Sequence, residues 1–265
     1  KEFRPTYYSA GPALHLAILR EIKKTSLEEL KDGSLREIQT GTAPLSATVN
    51  QELSEVFGVP VTESFGSSET GMITINIPPR TGSVGIPVIE SLTIRDENGI
   101  ILRNGETGEI VVKGETVFNG YEDAIVENKA AFVDGGFRTG DLGYLDDDGY
   151  LFLTGRKKEL INKGGEKISP EEIDSVLRSN PGVREAMTFQ VYDSILGEDV
   201  AAMVIPGNEQ VTEPELRQYL LDRLVQFKVP RKIYFVTEIP KTPNGKLLRN
   251  EGTKQYSGSG QVGDG

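Results

Sequence analysis

The sequence predicts an α/β protein built in three parts. An α/β layer covers residues 1–81, a β-rich subdomain covers 82–157, and a small α+β domain covers 158–250, with 251–265 as a flexible linker or tail. Three observations carry this. Helix-like and strand-like stretches alternate up to about residue 81. From residue 82, apolar and polar positions alternate between Asn-Gly and Asp-Gly pairs, which are hairpin signals. Beyond Arg156, a strongly marked helix start opens a new alternation of helices and strands. At 265 residues the chain has the length for two domains or one large one.

In the first part, Leu14, Ala17, Ile18 and Ile22 recur at helical spacing and predict a helix over residues 7–30. A short strand follows, Leu35 to Gln39, and then a loop of small residues. "SATVNQELSEVFG" reads as a helix with Ser46 as its N-cap and Gly58 as its stop. "VPVTESFGSSETG" reads as a strand running into a polar, Gly-containing loop.

In the second part, "SLTIRDENGIILRNGETGEIVVKG" turns at Asn98-Gly99, Asn104-Gly105 and Thr107-Gly108, and "YLDDDGYLFLTG" turns at Asp148-Gly149. A small barrel or distorted sheet results. In the third part, Ser169-Pro170-Glu171-Glu172 combines an N-cap serine, a first-turn proline and acids against the positive end of a helix. "AMTFQVYD", "DVAAMVIP" and "RKIYFVTEI" read as strands. "TEPELRQYLLDRLVQF" reads as an amphipathic helix capped by Thr212.

Composition narrows the chemistry. Cysteine is absent and His15 is the single histidine, so thiolate and multi-histidine metal sites are excluded. His15 sits in an amphipathic stretch, where a packed position competes with a catalytic one. The formal charge of −11 disfavours nucleic acid as a partner. Any phosphate must be met by local cations or backbone N–H groups. No apolar run has the length of a membrane span, and no signal peptide is visible, which fits a cytoplasmic or peroxisomal setting. The chain opens at Lys1 rather than methionine and reads as a piece of something longer.

Four stretches are candidates for chemistry. "GTAPLS" (41–46) and "ESFGSSETG" (63–71) both follow strands, where α/β folds place ligands. Their small residues admit a flat ring, Phe65 is positioned to stack on one, and Ser67, Ser68 and Glu69 offer oxygens to phosphate and Mg²⁺. The alternative reading of "GSS" is a plain turn. In "GFRTGDLG", Asp141 is either a ribose-binding carboxylate or a turn residue. "GRKKELINKGG" places a cationic cluster and a Gly pair at a seam. "KTPNGKLLR" projects Lys246 from an Asn244-Gly245 turn, either toward a transferring group or into solvent.

Taken in order, "GTAPLS", "ESFGSSETG", "GSVGIPV", "FRTGDLG", "GRKKELINKGGEKISPEEID" and "KTPNGKLLR" resemble the motif series of the adenylate-forming superfamily: acyl- and aryl-CoA ligases, adenylation domains of peptide synthetases and firefly luciferase. The resemblance covers about residues 1–250. It implies that the first two parts belong to a partial large N-terminal adenylation domain and that the third is the small, mobile C-terminal domain. The implied reaction joins a small-molecule carboxylic acid to the α-phosphate of ATP, releasing pyrophosphate. A thiol of CoA, or of a carrier's phosphopantetheine, then displaces AMP.

By that resemblance Gly41, Ala43 and Pro44 border the adenine and acyl pocket. Glu63, Ser64, Phe65, Gly66 and Ser67 line the nucleotide, with Phe65 in the place of the usual Tyr. Ser68 replaces the usual Thr at the α-phosphate, and Glu69 holds Mg²⁺. Asp141 and Arg156 take the ribose hydroxyls. Lys246 reaches the carboxylate and the α-phosphate. Lys158 is the pivot between half-reactions, and Asn162, Lys163, Gly164 and Gly165 face the thiol. One departure stands out: the Ser/Thr/Gly-rich phosphate loop with its lysine, expected upstream of "GTAPLS", is not in this sequence. The expectation is therefore of a piece that lacks the N-terminal part of the same protein and is inactive alone. "ELINKGGEKISPEEIDSVL" favours a CoA ligase; a Gly/Ser-rich end leading to a carrier domain, or a nucleotide-binding piece without catalysis, are the alternatives.

Overall fold

The computed structural model describes residues 4–22, 34–41, 45, 47–243 and 245–256. The chain divides into two compact units, Lys1–Leu153 and Thr154–Gly265. Among the described residues, no helix is long and apolar enough to cross a membrane.

The first unit opens with strand β1 (Tyr7–Ala10), helix α1 (Pro12–Ile22), strand β2 (Glu37–Thr40), helix α2 (Ala47–Phe57) and strands β3 (Val61–Ser67), β4 (Gly71–Ile75) and β5 (Ile86–Pro87). The sheet order is β1-β2-β3-β4-β5. β1, β2 and β3 are parallel, with Tyr7 opposite Glu37 and Ile38 opposite Val61; β4 and β5 add antiparallel. The helix expected over residues 7–30 begins only at Pro12. The β-forming pair Tyr7-Tyr8 is claimed by pairing with β2, and Pro12 then serves as a first-turn residue; residues 23–30 lie outside the described residues. Gly58 ends α2 with φ +68°, its N–H on the Ser54 carbonyl at 2.8 Å. The expected cap, Ser46, lies outside the described residues. Leu19, Ile38, Leu53 and Val61 form the core here.

A second sheet of this unit is built from β6 (Ser91–Arg95), β7 (Gly108–Lys113), β8 (Phe132–Val133), β9 (Gly136–Leu145) and β10 (Leu151–Arg156), the last running past the unit's boundary. The order is β10-β9-β7-β6, with β8 on β9. Gly99, Gly105 and Gly149 take the left-handed φ that their turns require. Thr107-Gly108 is not a turn. Gly108 begins β7, where a Cβ would come within 2.4 Å of the Arg95 carbonyl oxygen. The short helix α3 (Ile125–Ala131) has no buried residues, so no apolar stripe announces it.

The second unit starts with the end of β10, then a 3-10 turn (Lys157–Glu159), and continues with β11 (Ile161–Lys163), β12 (Glu166–Ile168), α4 (Pro170–Arg178), β13 (Val183–Asp193), β14 (Gly197–Pro206), α5 (Glu213–Leu221), β15 (Lys232–Phe235) and α6 (Arg249–Tyr256). β14 is central, antiparallel to β13 and parallel to β15. Its apolar run is buried on both faces. Val200, Ala202 and Val204 pack with Ile173, Leu177, Leu216 and Leu220 of α4 and α5, while Ala201, Met203 and Ile205 pack with Phe189 and Ile239.

Two caps behave differently from each other. The Thr212 N–H and hydroxyl both donate to the Glu215 carboxylate, at 2.8 and 2.7 Å. Ser169 stands at the N-cap of α4, but its hydroxyl donates to the Thr154 carbonyl instead. Residues 251–256, read from sequence as the start of a tail, are helix. Tyr256 stacks on Tyr234 at 3.9 Å, and Gly252 is buried against Met187 and Phe189.

Candidate functional site

The carboxyl ends of β2 and β3 lie side by side, because these strands are parallel neighbours with Thr40 opposite Glu63. A Cβ on Gly41 would stand 3.4 Å from the Ser64 hydroxyl, and that hydroxyl reaches the Thr40 carbonyl at 3.5 Å. The Glu63 carboxylate accepts from the Asn50 amide at 3.1 Å. Burial raises the Glu63 pKa, and the Asn50 hydrogen bond opposes the rise. Thr40 is 2% exposed and its hydroxyl finds no partner among the described residues. An orphan donor at a strand end suits a polar ligand or a water. Ala43 and Pro44 lie outside the described residues.

The stretch expected to be a loop after β3 is largely strand. Phe65, Gly66 and Ser67 continue β3 and pair with β4 in a hairpin. Small polar residues read as a loop, yet here they serve close backbone approach. A Cβ on Gly66 would fall 2.1 Å from the Gly71 carbonyl oxygen. Phe65 packs its half-buried ring on the core around Ile73, Ile110 and Phe137. Ser67 is occupied by the turn: its hydroxyl meets that of Thr70 at 3.2 Å and accepts the Glu69 N–H at 3.2 Å. Ser68 is exposed at the tip, and the Glu69 carboxylate receives the Tyr121 hydroxyl at 3.3 Å.

Asp141 is 7% exposed and lies within β9, so it is not a turn residue. The β7–β9 ladder is irregular beside it: Glu109 faces Leu142 and Val111 faces Arg138. Gly140 takes φ +72° in that irregularity, and the Asp141 N–H donates to the Thr139 hydroxyl at 3.1 Å.

In the second unit, Arg156 ends β10 and Lys158 lies within the 3-10 turn. Gly164 and Gly165, with φ +61° and +102°, form the two-residue turn of the β11–β12 hairpin, in which Lys163 pairs with Glu166. Positive φ at both central residues is what such a turn demands. The Asn162 side chain braces it, its Oδ1 accepting the Gly165 N–H at 3.0 Å. The Lys163 ammonium is 2.6 Å from the buried Asp199 carboxylate. Lys246 is exposed at the base of a tight turn: the Thr242 N–H donates to the Lys246 carbonyl at 2.8 Å, and Gly245 takes φ +86°. Asn244 lies outside the described residues.

Of the residues expected at a nucleotide, the first unit gathers Gly41, Glu63, Ser64 and, along the hairpin, Phe65 to Glu69. The residues expected to face the thiol, Asn162 to Gly165, gather on one hairpin of the second unit. Two family models match in this same arrangement: AMP-binding enzyme over residues 1–122 and AMP-binding enzyme C-terminal domain over residues 172–246. The chain belongs to the adenylate-forming superfamily.

Curated relatives in this superfamily include an oxalate–CoA ligase of Arabidopsis thaliana, 40% identical over 94% of this chain and 49% of the relative. An oxalate–CoA ligase of Saccharomyces cerevisiae is 43% identical over 73% of this chain and 37% of the relative. The 2-succinylbenzoate–CoA ligase of Bacillus licheniformis is 39% identical over 73% and 41%. Among solved structures, ATP-bound MatB of Rhodopseudomonas palustris aligns with TM-score 0.83 at 33% identity, covering 95% of this chain and 51% of that one. The chain thus spans half or less of the length of the curated relatives it matches.

The superfamily chemistry implies Mg²⁺. Among the described residues, no group of three or more His, Cys, Asp or Glu side chains could hold a metal. Mg²⁺ in nucleotide sites takes one or two carboxylates and completes its shell with phosphate and water. Glu69, beside the exposed Ser68, fits an ion carried in by the nucleotide and does not fit a resident metal. Sequence reasoning missed Thr40, whose hydroxyl has no partner among the described residues, and Asn50 and Tyr121, whose partners are 7 to 52 residues distant in the chain.

Proposed function

We propose that this chain provides the nucleotide-binding hairpin and the small C-terminal domain of an AMP-forming ligase that joins a carboxylic acid to CoA. The observation that carries this is the β3–β4 hairpin, which aligns Ser64 with Gly41 and presents Ser68 and Glu69 at its tip. Adenine lies along the Gly41–Ser64 end, where side chains are small and Phe65 is close. Asp141 and Arg156 bind the ribose. Ser68 donates to the α-phosphate, and Glu69 holds the Mg²⁺, which neutralises phosphate charge when bound. The carboxylate oxygen of the acid forms a bond to the α-phosphorus as the bond to pyrophosphate breaks. Lys246 balances the negative charge gathered there. CoA thiolate then forms the thioester bond and AMP leaves.

The names of the relatives favour CoA over a carrier as acceptor. The test is ATP–pyrophosphate exchange by the full-length protein with a panel of acids, oxalate first, followed by CoA-dependent AMP release. Acid-dependent exchange and a CoA thioester are expected. Nucleotide binding without exchange for any acid overturns the ligase reading, and exchange with thioester formed only on a carrier overturns CoA as acceptor.

A further inference from the structure

A strap made of residues 116–128 crosses the turn that bears Glu69, and nothing in the reaction above uses it. The Thr116 hydroxyl donates to the Thr70 carbonyl at 2.7 Å, and the Phe118 N–H donates to the Glu69 carbonyl at 2.8 Å. The Tyr121 hydroxyl then donates to Glu69 Oε1 at 3.3 Å. The strap is itself fastened. Asn128 holds the Tyr121 backbone from both sides, accepting its N–H and donating to its carbonyl, each at 2.7 Å. Gly120 makes room for that clamp: its φ is +131°, and a Cβ there would come within 2.8 Å of Asn128 Oδ1. The Tyr121 ring meets Phe118 edge-on at 4.8 Å, and Phe118 packs on Phe132 and Phe137 at 5.9 and 5.0 Å.

The geometry points to Tyr121 as a positioning residue that orients the Glu69 carboxylate toward nucleotide-borne Mg²⁺. This inference rests on the function proposed above. A glutamate side chain has several rotatable bonds, and an ion binds it more tightly when its rotamer is already chosen. The phenol donates a hydrogen bond and brings no positive charge, so it orients the carboxylate without neutralising the charge that attracts a cation. Hydrogen-bond partners of metal ligands act in this way, and their loss weakens metal affinity. A tyrosine present merely to pack would not need its backbone clamped on both sides, or its hydroxyl aimed at a carboxylate.

The test uses the full-length protein with Mn²⁺ and a non-hydrolysable ATP analogue, read by electron paramagnetic resonance. Tyr121→Phe keeps the ring on Phe118 and removes only the hydroxyl. We expect a ~3- to 10-fold weaker Mn²⁺–nucleotide complex, at or below the lower end of the roughly 10–100-fold effects of outer-shell partners, because the contact is partly exposed. A parallel rise in the Mg²⁺ requirement, with unchanged thermal midpoint and unchanged KM for the acid, is expected alongside. Asn128→Ala, which frees the Tyr121 backbone, moves Mn²⁺ affinity in the same direction. Wild-type Mn²⁺ affinity in Tyr121→Phe overturns the inference. A lowered thermal midpoint with intact metal affinity overturns it too, because that marks a packing role. Glu69→Gln separates the two levels: if it also binds Mn²⁺ like the wild type, the assignment of Glu69 fails, and with it this inference.

Discussion

The guanidinium of Arg249 lies 2.6 Å from the carboxylate of Asp174, which is wholly buried, across 75 residues of sequence. The same guanidinium donates to Glu159 and Glu171, each at 2.9 Å, and to the Thr188 carbonyl at 2.8 Å. One side chain therefore ties the start of α6 to the 3-10 turn, to α4 and to β13. It also fastens the chain just after the turn that carries Lys246, three residues earlier. Arg249→Met leaves Asp174 buried without its counter-charge, and about 3–5 kcal/mol of stability in the second unit is the expected loss. Arg249→Lys keeps the charge but not the fork, so it recovers only part. Hydrogen exchange of the β13 and β14 amides measures both; protection equal to wild type in Arg249→Met would show that the cluster contributes little.

Asp174 also sets a pH dependence. Burial pushes its pKa up to about 6, with Glu171 adding to the rise and Arg249 and Arg178 pulling against it. The native carboxyl then holds a proton that the unfolded chain, with a pKa of about 3.9, has released. The contribution of Asp174 to the stability of the second unit falls as pH rises from about 4 to about 6 and levels off above, against the opposite contributions of Asp193, Glu213 and Glu215, whose pKa values are held down. Asp174→Asn should flatten that slope. Denaturant unfolding monitored at Tyr234 and Tyr256 across this window decides it, and an unchanged slope in Asp174→Asn would refute the assignment.

Gly66 is the position where the hairpin tolerates least. An added methyl would sit 2.1 Å from the Gly71 carbonyl oxygen. Gly66→Ala should cost at least the 1–3 kcal/mol of ordinary overpacking and should weaken nucleotide binding at least tenfold, as the Ser68–Glu69 tip is displaced. Nucleotide titration together with a thermal melt checks this. Gly58→Ala, with open space around it, serves as a control that strains the backbone but leaves nucleotide affinity intact.

Lys246 and Lys158 should separate the two half-reactions. Removing the Lys246 charge in Lys246→Ala should cripple pyrophosphate exchange and spare thioester formation from supplied adenylate. Lys158→Pro, which fixes φ in the 3-10 turn, should slow thioester formation more than exchange. Single-turnover assays of each half resolve the pair. Equal loss of both halves in Lys246→Ala would remove its assigned role.

Local chemistry in the sequence reached as far as local chemistry acts. Gly58, Pro170 and the Thr212–Glu215 box mark their helices, and the glycines at 99, 105 and 149 mark their turns, because each works within a few residues. Tyr7–Ala10 was lost to a helical pattern, since only its pairing with Glu37–Thr40 makes it a strand. Phe65–Ser67 looks like loop because its neighbours are small, but the hairpin uses that smallness for backbone contact. At the candidate site, the ordered motifs single out Gly41, Glu63 to Glu69, Asp141, Arg156 and Lys246 as candidates, and the parallel β2–β3 pair sets Gly41 beside Ser64. Tyr121 and Arg249 act through partners 52 to 90 residues away, a distance that no periodicity or spacing encodes.

The span between Asp174 and Arg249 has a consequence for biosynthesis. A ribosome adding about 5–20 residues per second emits Asp174 on the order of 4–15 s before Arg249. During that interval α4 can settle on β13 only by hiding a carboxyl that has the charge of Arg178 nearby but not yet the guanidinium that hydrogen-bonds it. The nascent second unit is thus kept loose until α6 begins to emerge, and an exposed β14, apolar on both faces, is the surface a chaperone would meet in the meantime.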